Sequence, residues 1–179
     1  MKVVFLTLLL GLVCAVQEEE TVDSASTVSA TLSGEWSTAY VAYNNLKKHC
    51  HKFLLIPYRR YIVFWERCFI ILVYVFDCKC HVWRPLHIIG KQLSSNIYTY
   101  EYEGTNQIEF IHISKKALIA VNVNVDETGT KTEQVLLFGK DNDIDQEDLE
   151  TFKKETLSRK ITETSIKDLT EPDNYLALA

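Results

Sequence analysis

Hydrophobic residues fall in short runs along most of the chain, and many of these runs are rich in aromatic and β-branched residues. Runs of this length, separated by polar residues, are typical of β-strands. Polar segments such as Glu103-Gly104-Thr105-Asn106 supply residues that tolerate tight turns. Because eight short consecutive strands can close on themselves, the pattern predicts an all-β, antiparallel up-and-down barrel. The predicted strands cover residues 34–43, 53–63, 68–76, 83–91, 97–103, 108–114, 117–125 and 133–140.

The pattern changes from strand to helix after residue 140. Asp145 is the predicted N-cap, acidic residues follow it in the first turn, and Ile144 precedes it at the position that staples against Leu149. A helical period then places an apolar stripe on one face, so one helix should pack against the barrel. The predicted stripe consists of Leu149, Phe152, Thr156 and Leu157.

The N-terminus predicts secretion. Lys2 precedes an apolar run over residues 3–13, and Val13-Cys14-Ala15 is a small-residue cleavage pattern. The run is too short to span a bilayer, so a signal peptide cut after Ala15 is expected and the mature chain should be extracellular, not an integral membrane protein. The predicted organisation is a signal peptide at 1–15, an N-terminal arm at 16–33, the barrel at 34–140, a helix region at 141–160 and a tail at 161–179 with Ile161, Ile166 and Leu169 as anchors.

Charge and cysteine content narrow the class of protein further. The formal net charge is −5, which gives no overall reason to bind a nucleic acid. Residues 46–91 are locally basic and residues 141–179 locally acidic, which indicates complementary solvated faces or, as the alternative, a patch for a cell-surface receptor or a membrane. Removal of Cys14 with the signal peptide leaves four cysteines, an even number that favours disulfides in an oxidising compartment. Their connectivity stays open: Cys50, Cys68, Cys78 and Cys80.

Five segments, taken in order, resemble one family. Gly34-x-Trp36 is similar to the first-strand signature of the lipocalins, and the segments at 58–60, 100–106, 122–129 and 137–140 are similar to later strands of the vertebrate odorant-binding and pheromone-carrier lipocalins. The resemblance runs from Gly34 to Tyr175 and includes the single C-terminal helix.

The resemblance implies a carrier of a small hydrophobic ligand, such as an odorant or pheromone, with no catalytic residue, cofactor or metal. Gly34, Trp36 and Lys140 would be structural, with Lys140 over the Trp36 ring in a cation–π contact. Phe138 matches a lining aromatic residue, and a period of two brings Leu136 and Gln134 to its face. The ligand-binding residues that the resemblance implies are Leu54, Ile56, Tyr58, Tyr74, Phe76, Asn106, Ile108, Asn122, Leu136 and Phe138.

The seventh strand supports two opposite registers. Simple alternation puts Val121, Val123 and Val125 inside the barrel and the asparagines outside. The resemblance instead puts Asn122 at the cavity wall as a polar anchor. Because a shift of one residue reverses the faces of a strand, the sequence leaves both registers open.

The cysteines depart from the family pattern and leave two further functions open. Tyr175 stands where the tail cysteine of the usual lipocalin disulfide is expected, so that bridge should be absent. A cysteine-dependent isomerase would use Cys68 or Cys78 as its nucleophile. A metal-binding secreted protein would use the soft and borderline ligands of His49-Cys50-His51 and Cys78-x-Cys80-His81. The sequence does not decide between a monomer and a homodimer.

Overall fold

The computed structural model describes residues 32–44, 59–65, 67–77, 82–140 and 144–170, without the side chains of 59, 74–77 and 82–84. Eight antiparallel strands follow one another and close into a barrel, because β1 pairs with both β2 and β8. This confirms the predicted fold class. The strands are β1 (Gly34–Tyr43), β2 (Arg59–Trp65), β3 (Cys68–Asp77), β4 (Val82–Ser94), β5 (Ile97–Glu101), β6 (Thr105–Ile113), β7 (Ala117–Val125) and β8 (Lys131–Gly139).

The described turns lie at two opposite ends of the barrel. The turns at 95–96 and 114–116 lie at the end where β1 begins, and the turns at 102–104 and 126–130 lie at the other end. The 126–130 turn is built around Asp126, whose Oδ1 accepts hydrogen bonds from the backbone N–H groups of Thr128 and Thr130, both at 2.9 Å. Gly129 has a φ of 78° there, a conformation that glycine adopts without a steric cost.

One α-helix, α1 (Gln146–Ser158), follows the barrel in the described part of the chain, and a 3₁₀ helix follows at Glu163–Ser165. Phe152 and Thr156 are buried as predicted, but Leu157 is 49% exposed, so its predicted place on the buried stripe was wrong. Asp148 takes the buried position instead. Asp145 is the N-cap residue, although its side chain makes no capping hydrogen bond and lies 3.5 Å from Lys116 Nζ.

A ninth strand, β9 (Ile166–Asp168), pairs with β1 at Tyr40, Val41 and Ala42. Period-two patterning over the polar tail did not predict it, because three residues are too few to show a period. The predicted anchors Ile161 and Leu169 are buried and Ile166 is half-buried.

Two apolar clusters lie on opposite faces of the same strands. The inner cluster lies inside the barrel, and the outer cluster lies between α1 and the outer faces of β1, β7 and β8. The outer cluster consists of Ala42, Ala117, Ile119, Val121, Val135, Leu137, Phe152 and Ile161. In the described residues, no helix is long and apolar enough to cross a membrane.

Candidate functional site

The inner face of the barrel is mostly large and apolar. Its buried side chains alternate along each strand with residues of the outer face, as the pleat of a sheet requires. Near the end where β1 begins, Phe64, Phe69, Tyr98 and Phe110 pack as one aromatic group, with ring centroids 5.1–6.3 Å apart. Edge-to-face contacts of this kind stabilise the group. We call this aromatic group, at the end of the barrel where β1 begins, the floor.

Trp36 forms the other part of this floor. Its ring is buried, and its Nε1–H donates a hydrogen bond to the Leu32 carbonyl oxygen at 2.9 Å. Lys140 Nζ lies 4.8 Å from the centroid of the Trp36 ring, where a cation–π contact contributes about 0.5–2 kcal/mol. Leu32 and Trp36 therefore cover the end of the barrel next to β1, and their contacts belong to the structure of the floor.

The structure brings together the predicted wall residues of β6, β7 and β8. Asn106 and Ile108 of β6, Asn122 of β7, and Leu136 and Phe138 of β8 are all buried. Asn122 pairs across the sheet with both Ile108 and Gln134. The other predicted wall residues lie outside the description: Leu54, Ile56 and Tyr58 entirely, and Tyr74 and Phe76 in their side chains.

β7 takes the register in which Asn122 faces the barrel interior. Leu118 and Ala120, on the same face, belong to the inner cluster, whereas Val121 belongs to the outer cluster beneath α1. Of the two registers that the sequence left open, the structure therefore has the one that the resemblance implied, and simple alternation gave the wrong one. Alternation failed as a guide here because β7 is buried on both faces, so an apolar side chain does not mark the interior.

Neutral polar side chains form a hydrogen-bonded group inside the barrel, towards the 102–104 and 126–130 turns. The Tyr100 hydroxyl donates to Asn122 Oδ1 at 3.0 Å, and Asn122 Nδ2 donates to Asn106 Oδ1 at 3.2 Å and to Gln134 Oε1 at 3.4 Å. Asn124 Nδ2 also donates to Asn106 Oδ1 at 3.2 Å. We call these five residues the amide cluster.

Two interior residues were not among the predicted site residues. Tyr100 belongs to the amide cluster, and burial raises the pKa of its hydroxyl while the Arg60 charge lowers it by a smaller amount. Arg60 is 2% exposed; its guanidinium lies 4.3 Å from the centroid of the Phe138 ring, and its Nη2 donates a hydrogen bond to Thr38 Oγ1. Alternation with Ile62 and Phe64 on β2 is a sequence signal that places Arg60 inside.

The two alternative functions, metal binding and cysteine-dependent catalysis, depend mainly on residues outside the described part of the chain. His49, Cys50, His51, Cys78, Cys80 and His81, the proposed metal ligands, all lie there. Among the residues that are described, no three of the types His, Cys, Asp and Glu come together in a way that could hold a metal ion. Cys68 is buried and disulfide-bonded, so it has no thiolate to act as the proposed nucleophile.

Comparisons with known proteins agree with this architecture. A model of the lipocalin / cytosolic fatty-acid binding protein family matches residues 86–173. An odorant-binding protein of Bos taurus is 30% identical over 159 residues, which cover 89% of this chain and 97% of that protein. The crystal structure of a dog lipocalin allergen is 30% identical, with a TM-score of 0.68 over 80% of this chain and 96% of that one. A complex of bovine odorant-binding protein with undecanal is 29% identical, with a TM-score of 0.53 over 88% and 98% of the two chains.

The closed barrel, the helix that follows it and these similarities define the class of protein. The chain belongs to the lipocalin / cytosolic fatty-acid binding protein family.

Proposed function

We propose that this protein is a secreted carrier that holds a small hydrophobic molecule, of odorant or pheromone type, inside its barrel and does not transform it. The observation that carries the proposal is the wall around the barrel interior, where large apolar side chains meet a few neutral polar groups and one buried guanidinium, that of Arg60. Sites for small apolar molecules have this composition. A bovine relative crystallised with undecanal supports the same ligand class.

The proposed ligand lies between the floor and the amide cluster, against Ile108, Leu136 and Phe138. Burial of apolar ligand surface is favourable by about 25 cal/mol per Å², less the free-energy cost of immobilising the ligand. Micromolar dissociation constants are therefore expected. A cell-surface receptor would be a second partner of such a carrier.

Displacement of a fluorescent hydrophobic probe tests the proposal. We expect saturable binding at one site per barrel, with competition by medium-chain aldehydes and by alkanes, and native mass spectrometry should show one ligand per chain. Leu136→Trp places a larger side chain inside the barrel and should abolish binding, while far-ultraviolet circular dichroism shows whether the fold is kept. Leu93→Trp is the matched control, because Leu93 is 61% exposed. Absence of probe binding to the unmodified protein would overturn the carrier proposal.

Secretion is tested separately by expression of the full chain in cells with a secretory pathway. We expect protein in the medium, with Val16 as its N-terminal residue after cleavage behind Ala15. Retention inside the cells with Met1 still present would contradict this part of the proposal.

A further inference from the structure

The directions of the hydrogen bonds in the amide cluster can be worked out from one fixed point. Asn106 Nδ2 lies 2.7 Å from the Tyr102 carbonyl oxygen and 3.2 Å from the Gly104 carbonyl oxygen. A carbonyl oxygen only accepts hydrogen bonds, so the atom facing both must be the Asn106 nitrogen. Asn106 Oδ1 therefore faces into the cluster as an acceptor.

This acceptor fixes the orientation of Asn122. The Asn122 atom 3.2 Å from Asn106 Oδ1 must be the nitrogen, because two amide oxygens would repel each other. Asn122 Oδ1 then faces the Tyr100 hydroxyl, which donates to it. Both Asn122 N–H groups are used, one to Asn106 and one to Gln134. The predicted polar anchor thus has no N–H group left for a ligand.

The same reasoning fixes Gln134. Because an Asn122 N–H points at it, the nearer Gln134 atom is Oε1, and Nε2 points away from Asn122. None of the described residues accepts a hydrogen bond from this nitrogen, although Gln134 is only 5% exposed. Gln134 shares its face of β8 with Leu136 and Phe138, at two-residue steps of about 7 Å. The two N–H donors of Gln134 Nε2 therefore lie at one end of an apolar wall without an acceptor among the described residues.

We propose that Gln134 Nε2 donates a hydrogen bond to a carbonyl oxygen of the ligand, so that the barrel selects neutral aldehydes, ketones or esters. This inference rests on the proposed carrier function and names its ligand class. The carbonyl group lies at the amide-cluster end, and the apolar part of the ligand lies along Leu136 and Phe138. Asn122 is a positioning residue, because it orients the Gln134 amide.

The physical reason is the cost that arises when a ligand removes a donor from water and supplies no acceptor. A bound alkane shields Gln134 Nε2 from water and supplies no acceptor, whereas a carbonyl ligand supplies one. The net gain expected from one neutral hydrogen bond corresponds to about a tenfold change in the dissociation constant.

The test compares a medium-chain aldehyde with the alkane of the same chain length in probe-displacement titrations. Gln134→Leu should weaken aldehyde binding about tenfold and leave alkane binding unchanged or tighter. Gln134→Glu should weaken the aldehyde similarly, because an ionised carboxylate has no N–H donor, and it serves as the second variant if Gln134→Leu does not fold. Gln107→Leu is the matched control on the outer face, where Gln107 is exposed. It should leave the dissociation constants of both ligands unchanged.

The outcomes separate this inference from the carrier proposal. If neither ligand displaces the probe from the unmodified protein, the carrier proposal fails. If both bind, and Gln134→Leu changes them equally, the role of Gln134 is wrong and the carrier proposal stands. The carboxylic acid of the same length is a third ligand; if it binds more tightly than the aldehyde, the buried Arg60 guanidinium is the selecting group and the inference about Gln134 is overturned.

Discussion

Gly90 is directly opposite Phe69 in the β3–β4 ladder, and its missing side chain makes room for the Phe69 ring. A methyl group placed on Gly90 would overlap three atoms of that ring. The ring has little freedom to move, because it is fully buried and packs against Tyr98 at 5.1 Å and Tyr100 at 5.9 Å. The aromatic floor therefore depends on a residue that carries no side chain.

Gly90→Ala should lower the free energy of unfolding by about 1–3 kcal/mol, because the added methyl group overpacks the floor. Urea unfolding followed by tryptophan fluorescence measures the change. The control is Gly129→Asn, at a position where an added Cβ meets nothing within 4 Å and where asparagine tolerates the positive φ. Equal losses in the two variants would contradict this explanation. In Phe69→Leu, the added cost of Gly90→Ala should become smaller.

At the scale of elements, α1 is attached to the barrel through the buried carboxylate of Asp148. Asp148 Oδ1 lies 2.7 Å from His112 Nε2, and Asp148 Oδ2 accepts a hydrogen bond from Ser114 Oγ at 3.0 Å. At the other end of the helix, Arg159 Nη1 lies 2.8 Å from Glu133 Oε1 of β8. Phe152 packs between these two polar contacts, 6.1 Å from the Tyr40 ring.

Asp148→Ala should destabilise the protein by about 1–3 kcal/mol, because it leaves His112 and Ser114 without their shared acceptor. Urea unfolding gives the global effect, and amide hydrogen exchange in residues 146–158 shows whether the helix opens more readily. Glu147→Ala removes the neighbouring acidic residue of the first turn, which is exposed, and should cost less than about 1 kcal/mol. An equal loss in the free energy of unfolding for both variants would show that the contacts of Asp148 with His112 and Ser114 do not stabilise the protein.

Elements that depend on local signals were predicted well, whereas the faces that pack against α1 were not. Strand positions and the helix start followed from runs of β-forming residues and from Asp145, since these are local signals. The faces of β7 did not, because α1 makes its outer face apolar as well; Val121 is buried beneath the helix. Leu157 fits the helical period but is exposed and does not belong to the outer cluster. Such placements depend on packing between distant segments, which a local pattern does not contain.

For the whole molecule, the sequence predicted which residues share the barrel interior better than it predicted the hydrogen bonds among them. The residues of β6, β7 and β8 that the lipocalin resemblance named are together inside the barrel, and one of them, Phe138, carries the face assignment of β8. The sequence could not predict which amide has N–H groups available for a ligand, because this depends on the directions of hydrogen bonds among four strands. Asn122 and Gln134 both carry a primary amide, yet the N–H groups of Asn122 are used within the amide cluster and those of Gln134 are not.

The alkaline limit of stability is another property of the whole molecule. Burial raises the pKa of Tyr43, Tyr98 and Tyr100, and burial together with the nearby charge of Asp168 raises the pKa of Tyr40. In the unfolded chain a tyrosine titrates near pH 10. Below about pH 10 both states keep their protons, and above it the unfolded chain releases protons that the folded protein retains.

These tyrosines should therefore leave the free energy of unfolding unchanged below about pH 10 and should lower it as the pH rises further. Urea unfolding at a series of pH values from about 8 to 11 measures the slope. Tyr100→Phe should make the decline above pH 10 shallower, by up to about 1.4 kcal/mol per pH unit, since one retained proton is removed. The variant also loses the hydrogen bond to Asn122, so the comparison is between slopes and not between stabilities at neutral pH. An unchanged slope in Tyr100→Phe would show that the proton of Tyr100 does not contribute to the decline.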